Sequence, residues 1–179
     1  MSDGDQVIAG GAGMPDRWQR LWAPHRMEYL KGENRPLADN EVQCPFCHIP
    51  TLSDEDGLIV ARGTNAYVVL NLYPYNAGHL LVCAYRHVAD LTDLSRDERD
   101  EIFELSAHAM KTLRKISNPA GFNLGMNQGA ISGAGVAEHI HQHVVPRWSG
   151  DVNFMPIIGQ TKVLPVLLTQ TRSEISQAW

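Results

Sequence analysis

The 179-residue sequence contains no apolar run approaching the roughly 18 to 20 residues that a membrane-spanning helix needs. Residues 1–13 are polar and glycine-rich and lack a hydrophobic signal core, so a soluble cytoplasmic protein is expected. Positive charge is short: fifteen Lys and Arg face twenty Asp and Glu, a net charge of -5 with neutral histidines. That balance argues against broad binding to nucleic acid or anionic membranes, while leaving room for a local basic pocket for phosphates. Aromatic residues make up only 7% and are not interleaved with basic ones as a single-strand stacking platform requires. Cysteine is scarce as well, and three residues, an odd number, make no disulfide framework. Internal repeats and low-complexity tracts are absent. What remains is globular in composition, 44% hydrophobic and 20% charged, and sized for one domain with one core.

Along the chain, residues 1–16 are rich in Gly, Asp and Ser without periodicity and read as a disordered leader, leaving 17–179 as the domain with its extensions. Residues 18–30 carry Trp18, Leu21, Trp22, Met27, Tyr29 and Leu30 for packing against the body or a partner, and 31–43 read as a polar connection. Three strand-like runs at 58–61, 66–71 and 79–84, separated by turn residues, predict an antiparallel meander. From Ser95 the period becomes helical. Ile102, Leu105, Ala109, Leu113 and Ile116 fall on one face, Ser95 with Glu98 forms a capping box, and Asn118-Pro119 ends the helix. Further strands are expected at 121–126 and 139–147, and a C-terminal helix within 162–178 whose regular part starts no earlier than Pro165. The fold class is therefore α+β: an antiparallel sheet with one long helix packed on it and a second helix at the C-terminus.

The strand at 139–147 holds the most informative feature, His139, His141 and His143 in strict alternation. Side chains on a strand alternate faces, so three imidazoles would project from one side of a sheet. A polar solvated face or adventitious metal binding would also produce such a row. Chemistry offers another use. A neutral imidazole attacks phosphorus well, provided one ring nitrogen is free and the other is held as a donor, most simply to a backbone carbonyl. A neighbouring imidazole two residues along can then donate to phosphate oxygens. Just upstream, the segment 127–135 places Gly129, Gly133 and Gly135 where positive φ and close backbone approach suit either a phosphate cradle or an ordinary hairpin loop, with Ser132 as an added hydroxyl. Cys44 and Cys47 stand as Cys-Pro-Phe-Cys, a spacing that reads as metal-binding or redox-active in a reducing compartment, whereas Cys83, on a strand, reads as a small core residue.

His139-Ile140-His141-Gln142-His143-Val144-Val145 resembles the signature of the histidine-triad (HIT) nucleotide hydrolases and transferases. It departs at Gln142, where the family usually has a hydrophobic residue; that side chain lies on the opposite face, so packing is affected more than chemistry. The order of Cys-x-x-Cys, Asn71, Gly78-His79, helix and triad extends the resemblance over about residues 18–179. The segments 20–29 and 146–154 resemble the diadenosine tetraphosphate phosphorylases within the family. The resemblance implies a HIT-like fold and cleavage of a dinucleoside polyphosphate at an α-phosphorus through a nucleotidyl-histidine. Inorganic phosphate is then the preferred acceptor, releasing ADP and ATP. Related members use water, on dinucleoside polyphosphates or nucleoside phosphoramidates, and a zinc-stabilised nucleotide-binding protein without turnover is the reading from another class.

Carried over by residue, the resemblance makes His141 the nucleophile and His143 its partner at the α-phosphate, with Asn127 holding the transferred phosphate. Asn71 sits where the family often has an acid gripping ribose, and His79 is either a second histidine of the site or a satisfied core residue. At Ala134-Gly135 some phosphorylases have Gly-Ser, so Ser132 and the backbone of Gly133, Ala134 and Gly135 are the remaining candidates to hold phosphate. Trp148 matches a position near the site in that branch. Cys44 and Cys47, joined by His87 and His139, match the four ligands of zinc-bearing members; a filled tetrahedral shell is structural. The resemblance implies no organic cofactor, and a homodimer or larger homo-oligomer.

Overall fold

A computed structural model describes residues 44–151 and 165–179. The leader at 1–16, the aromatic segment 18–30, the connection 31–43 and the segment following Asp151 lie outside the described residues.

Five strands, β1 (Ile59–Arg62), β2 (Ala66–Leu70), β3 (Leu80–Ala84), β4 (Gly121–Met126) and β5 (His141–Arg147), form one antiparallel sheet in the order β1-β2-β3-β5-β4. The first three make the expected meander. β5 inserts between β3 and β4, with Cys83 opposite His141 and Leu81 opposite His143 on one side, and Gly125 opposite His143 on the other. The histidine strand is thus interior, and its backbone is held by ladders on both edges.

Alternation divides the sheet into two apolar faces. On one, Val68, Leu70, Leu80, Val82 and Val144 pack against Ile102, Ala109 and Leu113 of the long helix α2 (Arg96–Ser117) and Ile175 of α3 (Leu168–Ala178). On the other, Ile59, Tyr67, Val69, Leu81 and Cys83 pack around Phe46 of the short helix α1 (Pro45–His48). Cys83 is fully buried there, as its position on a strand predicts.

α2 begins at the expected capping box. Ser95 Oγ accepts from the Glu98 N–H, and the Glu98 carboxylate accepts from the Ser95 N–H at 2.6 Å. The same carboxylate also accepts two N–H bonds from the Arg86 guanidinium, at 3.0 and 2.8 Å, joining the end of the meander to the helix. The guanidinium holds the Glu98 carboxyl well down, to about 2. One turn on, Glu101 accepts from the N–H groups of Thr64 and Asn65, clasping the β1–β2 turn. Glycine suits Gly63 at that turn because a Cβ there would come within 2.9 Å of the Ala66 carbonyl oxygen and would also displace the Glu101 carboxylate. The apolar stripe of α2 ends before the helix does, since Ile116, in the last turn, is 37% exposed. Asn118 closes the helix in the left-handed conformation, φ 44°, ahead of Pro119.

Two boundaries differ from expectation. β5 starts at His141, not His139, because the Ile140 N–H donates to the Val88 carbonyl and leaves the ladder. His139 therefore stands just before the strand and is not the first of three imidazoles on one sheet face. The regular part of the C-terminal helix begins at Leu168, beyond Pro165. From α3, Arg172 Nε and the Ser176 hydroxyl donate to the Ile59 and Val60 carbonyls of β1, an edge strand.

Replacing Glu98 by Ala removes the reciprocal cap and leaves the Arg86 guanidinium without its carboxylate. Urea denaturation should show a loss of about 2 kcal/mol, twice the loss from Ser95→Ala, and equal losses would contradict the double role given to Glu98.

Candidate active site and metal centre

Each imidazole has one nitrogen whose role is fixed by its neighbour, and the assignments follow in turn. His141 Nδ1 lies 2.8 Å from the carbonyl of His139, which can only accept, so Nδ1 carries the proton and Nε2 keeps its lone pair. His141 is 5% exposed, and burial pushes its pKa down, favouring the neutral ring. This is the protonation pattern that a nitrogen nucleophile requires.

A second chain of bonds orients His143. The Tyr75 N–H donates to His79 Nδ1 at 3.0 Å, so the His79 proton sits on Nε2. That N–H points at His143 Nδ1, 2.9 Å away, which leaves the His143 proton on Nε2. Burial, with a lesser push from His141, lowers the His143 pKa to about 4, so the ring is neutral at pH 7 and donates one N–H. The Asn127 amide lies 3.5 Å from that Nε2. The His141 and His143 rings stand side by side, their centroids 4.9 Å apart.

The four expected metal ligands converge. Sγ of Cys44 and Cys47 and one ring nitrogen each of His87 and His139 all lie within 4.8 Å of one another. His139 Nδ1 is 3.3 Å from Cys44 Sγ and 3.5 Å from Cys47 Sγ, and His87 Nδ1 is 3.3 Å from Cys47 Sγ. A tetrahedral zinc with ordinary bond lengths has S···N edges of about 3.5 Å, so the donor set fits that ion. His139 Nε2 donates to the Ala84 carbonyl at 2.9 Å, which turns the Nδ1 lone pair toward the sulfurs. Burial and the adjacent Cys44 push the Cys47 thiol up; a cation between the two sulfurs reverses that preference. Phe46, held between the cysteines by the Tyr67 hydroxyl on its carbonyl, packs 4.7 Å from the His141 ring centroid.

The other expected site residues separate. Asn127 and His143 line a pocket of about 380 Å³ with Tyr75, Asn76, Asn123 and Arg147. Asn71 is turned to His79: its Oδ1 accepts from the Tyr73 N–H and its Nδ2 lies 3.2 Å from His79 Nδ1. In the glycine-rich loop, Gly129 and Gly133 take positive φ of 76° and 88°. Ser132 donates its hydroxyl to the Gly129 carbonyl inside the loop, and Ala134 is buried. None of Ser132, Gly133, Ala134 and Gly135 is among the residues lining the pocket. Trp148 donates its indole N–H to the Ser117 carbonyl at the end of α2. Sequence reasoning gave Phe46 no role of its own and took Tyr75 and Asn76 as turn residues. The alternation Asn123, Gly125, Asn127, continuing the face that carries His143, was a signal for the polar wall.

The HIT domain profile matches residues 54–150. The AP-4-A phosphorylase of Mycobacterium tuberculosis is 48% identical over 97% of this chain and 90% of its own length. Among solved structures, a Zn-bound histidine triad family protein from Mycobacterium smegmatis aligns with a TM-score of 0.60 at 23% identity, covering 76% of this chain and 92% of its own. A hypothetical histidine triad nucleotide-binding protein from Sulfolobus tokodaii aligns with a TM-score of 0.62 at 23% identity, covering 75% and 91%. With its domain match and a relative of this identity over nearly its whole length, the chain belongs to the HIT family.

Proposed function

We propose that this chain is a nucleotidyl-transferring enzyme that cleaves dinucleoside polyphosphates, diadenosine tetraphosphate foremost, with inorganic phosphate as acceptor. The observation that carries the chemistry is the bond from His141 Nδ1 to the His139 carbonyl, which leaves Nε2 free to attack. The substrate class is supported by the relative named AP-4-A phosphorylase, 48% identical over 97% of this chain.

In the first half-reaction His141 Nε2 forms a bond to the α-phosphorus, and the bond from that phosphorus to the bridging oxygen breaks, releasing ATP. The imidazole, now bonded at Nε2 and protonated at Nδ1, carries positive charge, which the His139 carbonyl stabilises. His143, its Nε2 proton oriented through His79, donates to a phosphate oxygen as charge develops. Asn71 acts as a positioning residue by holding His79, and Asn127 holds the transferred phosphate. In the second half-reaction an oxygen of inorganic phosphate attacks phosphorus, the P–N bond breaks, and ADP leaves with His141 restored. Water in place of phosphate gives AMP.

Zinc is the ion we assign to Cys44, Cys47, His87 and His139. With all four positions filled by protein its work is structural, fixing the segment that carries Phe46 and the turn that leads into β5. We further propose a homo-oligomer, for which the outer edge of β4, with Asn123, Leu124 and Gly125 exposed, offers a strand to pair. A cytoplasmic location agrees with three free cysteines, and no described helix is long and apolar enough to cross a membrane.

The product test is direct. Diadenosine tetraphosphate with phosphate should give ADP and ATP; AMP and ATP formed equally well without phosphate would make the chain a hydrolase. His141→Ala should form no nucleotidyl-protein adduct and lose about a thousandfold or more in kcat, and a full-rate variant would remove His141 as nucleophile. A Cys44→Ser, Cys47→Ser variant should purify without zinc and melt on the order of 10 °C lower, the metal content being measured by elemental analysis.

The pH dependence has a definite sign. Burial holds His143 below its ordinary value of 6.5, at about 4, so between those limits the unfolded chain binds the proton and the folded chain resists it. Its contribution to stability is complete above pH 6.5 and is lost as pH falls through 4. His143→Gln should therefore lose less stability than the parent between pH 6.5 and 4 in urea titrations, whereas parallel profiles would mean that His143 is not buried neutral.

A further inference from the structure

The pocket begins at His143 and Asn127 and extends away from His141, and three properties point to the occupant of its far part. The first is its position. Along the site-facing side of β5 the residues run His141, His143, Val145, Arg147, and the pocket is lined by the last three and not by the nucleophile. Val145 lies about 13 Å from His141 at the rise of a strand. Displacement at phosphorus puts the entering and leaving atoms on opposite sides, and a pocket that runs along β5 away from His141 gives a leaving group room to extend.

The second is size and surface. About 380 Å³ is in the range of small-molecule sites. The walls combine the Tyr75 ring, stacked 5.7 Å from the His143 ring and 48% exposed, with the amides of Asn76 and Asn123. An aromatic plane beside amides suits a base and a sugar.

The third is charge. Arg147 is the one cation lining the pocket among the described residues, and it is committed: Nε and one terminal nitrogen bond the two Asp151 oxygens at 2.6 and 3.0 Å, and the other terminal nitrogen bonds Asn123 Oδ1 at 2.7 Å. Asn76 donates to the same carboxylate at 2.7 Å. The pair is neutral as a unit, so the described walls offer no net positive charge for a bare polyphosphate, and a nucleoside fits them better.

We propose that this pocket is the subsite for the leaving nucleoside, the second nucleoside of a dinucleoside polyphosphate, with its base against Tyr75 and its ribose on Asn123 and Asn76. The proposal rests on the reading of the chain as an enzyme acting at an α-phosphorus. It deepens that reading by making the far end of the substrate a recognised group.

Two substrates with the same adenosine and the same reacting phosphorus isolate the effect: diadenosine tetraphosphate and adenosine tetraphosphate, which lacks the second nucleoside. The parent protein should favour the first by about tenfold or more in kcat/KM, as one base on one aromatic ring allows. Tyr75→Leu and Asn123→Ala should each reduce that ratio toward one, a readout that cancels losses common to both substrates. Equal use of the two substrates by the parent, or a ratio that survives both substitutions, overturns the subsite and leaves the enzyme assignment standing. A raised KM for phosphate with an unchanged ratio gives the pocket to the acceptor and also overturns it. If neither tetraphosphate is cleaved, both readings fall together.

Discussion

The placement of protons on imidazole nitrogens governs this fold's central region, and backbone groups decide it. A histidine ring is nearly symmetrical in shape, yet its two nitrogens have opposite uses when it is neutral. Here the His139 carbonyl accepts from the His141 N–H, the Ala84 carbonyl accepts from the His139 N–H, and the Tyr75 N–H donates to the lone pair of His79. Rings so held need no side-chain acid to set them. They depend on the rigidity of the main chain, which the central location of β5 supplies through ladders on both sides.

His139 belongs to two systems at once. Its side chain completes the Cys44, Cys47, His87 cluster, and its carbonyl holds His141. Phe46 makes a second link, since it sits between the two cysteines in sequence and against the His141 ring in space. Ordering at the Cys/His cluster and orientation of the His141 ring are therefore one mechanical problem.

Much of this was legible in the sequence because its signals are local. Alternation disclosed the meander, the Ser95 and Glu98 spacing disclosed the start of α2, and Asn118-Pro119 disclosed its end. The two-residue spacing of the histidines pointed to one region of the fold but overstated their equivalence. The period-two argument assumes a strand, and Ile140, bonded to Val88, ends the ladder before His139. The pocket was less legible still. Tyr75 and Asn76 sit in a turn, where sequence patterns speak of backbone shape and are silent on what the side chains face, while Arg147 is known to be neutralised only once Asp151 is seen beside it. The amide of Asn71, expected at ribose, shows the same limit: its direction is set by the Tyr73 N–H, a contact made by the fold of the loop.

The contact between Cys44 and His139 spans 95 residues. Closing so long a loop costs entropy that short-range pairs do not, and contacts of such separation form after local ones have drawn the chain together. The meander and the capped helix can assemble from neighbours in sequence, whereas the Cys44–His139 contact forms only when the two ends of that stretch meet. During synthesis, then, a chain still lacking His139 can build the meander and the capped helix but not the Cys/His cluster.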